Sequence, residues 1–119
     1  PRTVWFTGHS LGGALATLAA ARYEPAAKAT TYTFGAPRVG DDAFRAAFGG
    51  RRAYRFVHAG DIVPTVPKVA CYVKPRRPGA FLHVGQRHEI RADGTIVAHD
   101  AAEAAGVAAR PGPLGLVRG

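Results

Sequence analysis

A single cysteine, no methionine, one tryptophan and only 8 acidic residues mark what this 119-residue chain does without. Cys71 has no partner for an internal disulfide and reads as a small buried hydrophobe. No cluster of His, Cys, Asp or Glu has metal-ligand spacing, no segment repeats, and no apolar run is long enough for a membrane span. No signal peptide is visible, and secreted and cytoplasmic locations both stay open. The shortage of acid leaves 16 Lys plus Arg in excess, a net charge of +8. Most of these are arginines scattered through an Ala/Gly/Pro-rich background, which reads as a solvated surface. A nucleic-acid partner would require interleaved aromatics or a recognisable binding motif, and neither is there. The one local basic cluster is Lys68, Lys74, Arg76 and Arg77, suited to anionic lipid headgroups at about 1 kcal/mol per residue. Apolar residues at 47% against 20% charged make the chain globular.

What is present is concentrated in Gly8-His9-Ser10-Leu11-Gly12-Gly13. The apolar run Val4-Trp5-Phe6 before it reads as a buried strand, and residues 14–23 after it read as a helix. Strand, G-x-S-x-G, helix is the context of a nucleophile elbow, a tight turn that lifts a serine above a sheet. In such a turn Gly8 and Gly12 are expected to remove side chains that would clash, and Gly13 to let helix and strand pack closely. Ser10 would then stand at a helix N-terminus, which favours negative charge.

Further along, residues 29–34 carry β-branched and aromatic side chains and read as a strand. Asp41 or Asp42 caps a short helix with Ala43, Phe44, Ala47 and Phe48 on one face, closed by Gly49-Gly50. A third strand covers 54–58, with Ala59-Gly60-Asp61 at its C-terminal end. This alternation predicts a parallel sheet with crossover helices. Pro64, Pro67, Pro75 and Pro78 then exclude a long helix. Residues 81–84 and 89–91 read as strand pieces, and Ala92-Asp93-Gly94-Thr95 as a hairpin turn onto 95–98. Asp100 is placed to cap a weak helix through Ala109.

Four segments in this order resemble the class 3 lipases, the fungal-lipase-like branch of the α/β hydrolases. They are GHSLGGALA at 8–16, TFGAPRVGD at 33–41, HAGDIVPTVP at 58–67 and LHVG at 82–85. The resemblance implies an α/β class, a partial α/β-hydrolase fold with a mostly parallel sheet and flanking helices. A strand that begins so soon after Pro1 is expected mid-sheet, so 1–119 reads as the C-terminal part of one lipase-like domain whose N-terminal half lies upstream. The resemblance makes Ser10 the nucleophile and Asp61 the triad acid. The residues themselves agree on Asp61, which lies beyond a strand's C-terminal end and follows the serine in chain order. The expected activity is hydrolysis of carboxylic esters of lipids, as a triacylglycerol lipase or esterase, with no cofactor and no metal. A phospholipase or small-ester esterase of the same fold is the alternative, as is a non-catalytic lipid- or protein-binding remnant. The partners expected are a lipid or small ester and a lipid interface. The oligomeric state is open.

The base is less determined. His9 reads as packing, His58 as a strand end, His83 as structural and His88 as solvent-facing. His99 follows the last strand, with the right chain order. The family, however, tends to carry an Asp-His pair farther on, followed by a helix containing an aromatic. Here the order is His99-Asp100 and no aromatic follows. Two principal readings stand: His99 is the base, or the base lies beyond Gly119. The backbone N–H of Leu11, after the nucleophile, is the expected oxyanion donor, with a second donor upstream of Pro1.

Overall fold

Small side chains decide how closely the first helix meets the sheet. In the computed structural model, which describes residues 2–67 and 81–99, strand β1 spans Val4–His9 and helix α1 spans Leu11–Arg22. The buried face of α1 is Gly13, Ala14, Ala16, Thr17 and Ala20, with no bulky residue to hold it off β1 and β2. Thr17 sits in that seam because its hydroxyl donates to the Gly13 carbonyl at 2.9 Å.

Strand β2 spans Ala29–Phe34, helix α2 Asp42–Phe48, β3 Arg52–His58, β4 Gln86–Ile90 and β5 Ile96–Ala98. The five strands form one sheet in the order β1-β2-β3-β4-β5. The first three pairings are parallel and the last antiparallel. The parallel alternation expected from the sequence is therefore present. Among the described residues β1 pairs on one side only, with β2. Of the two candidate caps of α2, Asp41 takes the role, its Oδ1 accepting from the Phe44 N–H at 2.9 Å. Gly49, at φ +58°, closes the helix.

Residues 81–84 differ from expectation. They form no strand, and Leu82 makes only an isolated bridge to Gly40, through an N–H···O bond of 2.7 Å. The Asp-Gly hairpin is as read: the Arg91 N–H donates to the Thr95 carbonyl at 2.9 Å, and Asp93 Oδ1 accepts from the Thr95 N–H at 2.9 Å. The helix expected at 100–109, Cys71 and the basic cluster lie outside the described residues.

The two faces of the sheet differ. One carries Ala53 and, packed with Ala20, Phe48 and Val84, forms the core, so both helices lie on this side. The other carries an aromatic file across the strands. Tyr32 stacks on Tyr54 at 5.3 Å, Phe34 on Phe56 at 5.3 Å and Phe56 on His88 at 5.1 Å. Among the described residues no helix covers this face, and Trp5 is 71% exposed there. Parallel sheets are normally covered on both sides.

Candidate active site

Ser10 has φ +53° and ψ −127°, and it is the one non-glycine residue with positive φ among those described. A β-carbon in that region is strained by roughly 1–3 kcal/mol and persists only where the surroundings hold it. The surroundings are visible. The Ser10 N–H donates to the Phe34 carbonyl at 2.9 Å, and the Ser10 carbonyl accepts from Gly13 at 2.9 Å. The serine is thus tied to β2 on one side and to the first turn of α1 on the other.

The glycines divide their work differently from the sequence reading. A Cβ at Gly8 would stand 2.2 Å from the Gly12 carbonyl oxygen, and one at Gly13 would stand 2.7 Å from the Ala36 Cβ. Both positions need glycine. At Gly12 a Cβ would meet nothing within 4 Å, so this glycine removes no clash. Only the backbone of Gly12 approaches Gly8, and its own Cβ direction is open.

Leu11 begins α1, so its N–H has no carbonyl to serve within the helix and is placed for an anion beside Ser10. Its side chain, 67% exposed, takes no part in the core.

Asp61 follows β3 at the same end of the sheet. Its N–H donates to the His58 carbonyl at 3.0 Å, and its Oδ1 accepts from the Val63 N–H at 3.0 Å. Its other oxygen faces Gly35. A Cβ built on Gly35 would lie 2.6 Å from Asp61 Oδ2 and 4.0 Å from His9 Nε2. Gly35 directly follows Phe34, the residue that holds the Ser10 N–H. Serine and aspartate are thereby brought to one corner of the sheet, and the His9 ring lies there too rather than in the packing expected for it.

His99 is not brought there. Its N–H donates to the Arg87 carbonyl at 2.9 Å, and its Nε2 lies 3.6 Å from Glu89 Oε2. It stands just past β5, four strands from β1, a span of about 19 Å. Arg87 is also three residues short of the C-terminal end of β4, below the rim that carries Asp61. The reason is the antiparallel return of β5: each residue after the hairpin moves away from that rim.

The other histidines have structural company. His58 Nδ1 is 2.8 Å from the Ala59 carbonyl oxygen. His88, expected to face solvent, lies against Phe56 instead, and burial lowers its pKa. His83 is structural, as read. Its Nε2 is 2.6 Å from the Pro64 carbonyl oxygen, and burial, with help from Arg55, pushes its pKa down to about 3. It is therefore neutral and donates to that carbonyl. The positions missed from sequence are Gly35 and Arg38. Their signal was inside TFGAPRVG, where a glycine and an arginine flank the end of β2. Among the described residues, no group of His, Cys, Asp and Glu is arranged to hold a metal, and no helix is long and apolar enough to cross a membrane.

The family model for lipase (class 3) matches residues 2–70, the stretch that contains the elbow, Gly35 and Asp61. The chain belongs to the class 3 lipases. Secreted mono- and diacylglycerol lipase 1 of Fusarium solani is 41% identical over 83 residues, covering 66% of this chain and 25% of that protein. Chloroplastic phospholipase A(1) DAD1 of Arabidopsis thaliana is 41% identical over 75 residues, covering 58% of this chain and 17% of its own length. Among solved structures, the Rhizomucor miehei lipase in its propeptide complex superposes with a TM-score of 0.65 at 35% identity, covering 81% of this chain and 31% of that one. The fold is accordingly a partial α/β-hydrolase fold, and this lipase chain spans a third or less of the length of these relatives.

Proposed function

We propose that this chain carries the nucleophile and the acid of a serine hydrolase that cleaves carboxylic esters of lipids. The observation that carries the reading is the strained Ser10, held by Phe34 beside the Gly35 seat of Asp61. A protein with no use for that serine has no reason to keep it in a costly conformation, which argues against a non-catalytic remnant.

In this reading a histidine takes the Ser10 proton as Oγ attacks the ester carbonyl, giving a tetrahedral oxyanion. The alcohol leaves with that proton, and water then cleaves the acyl-enzyme. The Leu11 N–H donates to the oxyanion, and a second donor comes from upstream residues. Asp61 accepts the Nδ1 proton of the histidine and fixes its tautomer. The place of His99 beside Glu89 favours the second of the two sequence readings, a base beyond Gly119. Residues 1–119 are then one part of a catalytic domain, in keeping with the share of the relatives' length that the chain covers. No cofactor or metal enters the chemistry. The substrate is a lipid ester, since one relative is named a mono- and diacylglycerol lipase and the other a phospholipase A(1).

The test is fluorophosphonate labelling of the complete lipase that contains this chain, with the adduct located by mass spectrometry. Labelling at Ser10 that disappears in Ser10→Ala is the expected result. An unlabelled but folded protein, or an adduct elsewhere, overturns the assignment.

A further inference from the structure

The segment after Asp61 is gripped from outside, and almost wholly by its carbonyls. Residues 63–65 form a single 3-10 turn, with the Thr65 N–H donating to Ile62 at 3.0 Å and the Val66 N–H to Val63 at 3.1 Å. Pro64 and Pro67 have no N–H to offer. The donors of the loop are therefore spent or missing, and what it presents outward is four consecutive carbonyl oxygens.

Two residues collect all four. His83 Nε2 bonds the Pro64 carbonyl at 2.6 Å. Arg38 Nη1 donates to the Thr65 carbonyl and, at 3.0 Å, to the Pro67 carbonyl. The backbone N–H of Arg38 donates to the Val66 carbonyl at 2.8 Å. The two holders are themselves joined, because the Leu82 N–H beside His83 donates to the Gly40 carbonyl two residues after Arg38. The ring of contacts closes on the site: Gly35 seats the Asp61 carboxylate, and three residues on Arg38 holds the end of the acid loop.

We infer that Arg38 and His83 are positioning residues that hold the 61–67 loop so that Asp61 keeps its seat on Gly35. The inference rests on the acid role proposed for Asp61. Neither residue touches the reacting atoms. Arg38 suits the task because a planar guanidinium reaches two carbonyls at fixed angles, whereas an ammonium is a point donor. His83 suits it because a neutral ring donates one N–H without placing a charge among Arg55, Arg38 and Arg87.

The experiment uses the complete lipase with p-nitrophenyl butyrate, counting active sites by fluorophosphonate titration. Arg38→Met and His83→Leu are expected to lower kcat per titrated site by about 10- to 100-fold, the scale of a 1 Å misplacement, with KM within about twofold. Arg38→Lys should recover little and His83→Gln, a neutral donor, most of the loss. A residue that only stabilises the fold would reduce the number of titratable sites and leave kcat per site unchanged, and that result overturns the inference. Amide exchange at Val63, Thr65 and Val66 gives a readout that needs no activity. It should quicken in Arg38→Met and His83→Leu, and unchanged exchange in both overturns the inference even if Ser10 proves not to be the nucleophile.

Discussion

Gly35 and Asp61 are fitted to one another: the backbone at φ +60° leaves room for a carboxylate oxygen where any other residue would carry its β-carbon, 2.6 Å away. Gly35→Ala is therefore expected to act twice. The positive φ costs roughly 1–2 kcal/mol in stability, and the methyl displaces Asp61, lowering ester turnover by about 10²-fold. Urea unfolding and steady-state turnover measured together check this. Turnover within about twofold of the parent would show that Asp61 needs no such seat.

Ser10 is expected to trade stability for chemistry. Ser10→Gly should abolish turnover and raise stability by about 1 kcal/mol or more, because glycine occupies φ +53° without strain. Ser10→Ala should abolish turnover without that gain. Equal unfolding midpoints for the two variants would contradict the strain.

Asp61→Asn and His99→Ala should part company. Losing the orienting carboxylate lowers kcat by about 10⁴-fold in a working triad. Removing His99 should leave kcat within about threefold, and Glu89 keeps Arg87 at 3.1 Å as its partner. A drop of more than about 10³-fold in His99→Ala would restore His99 as the base.

The pH dependence of stability follows from His83. Its folded pKa, about 3, lies below the unfolded value near 6.5, so the unfolded chain binds more protons between those limits. Stability is then fully present above about pH 6.5 and is lost progressively as pH falls toward 3. Burial of His88 acts in the same direction. Urea midpoints across that range should fall with acid, and less steeply in His83→Gln. A flat profile in the parent would contradict the burial of His83.

The elbow turn, the parallel alternation of strands and helices, and the place of Asp61 past the end of β3 were legible in the sequence because each depends on local chemistry. Glycines at a turn, β-branched runs and an acidic residue past a strand end all announce themselves within a few positions. What was hidden depended on partners far along the chain. Gly12 looked sterically necessary from its place in the motif, yet the open side of its backbone is a matter of where α1 lies. His99 had the right chain order, and only the antiparallel return of β5 moves it below the rim. The 81–84 stretch has strand-like residues, but its hydrogen bonds go to Gly40 and to the acid loop instead of a ladder. Gly35 stood inside the TFGAPRVG segment, but its task did not show there, since its constraint comes from a carboxylate 26 positions later.

The bare aromatic side of the sheet has a practical consequence. Trp5, Tyr32 and Phe34 face water there, and Leu11, Leu15 and Leu18 do so along α1. Expressed alone, the 119 residues should bind the dye ANS, show a red-shifted Trp5 emission and self-associate with rising concentration. Supplied in trans with the preceding part of a class 3 lipase, the same surfaces become an assembly interface. The proposed nucleophile and acid would then arrive on one polypeptide and the cover on another, and the loss of ANS binding would report that the two have met.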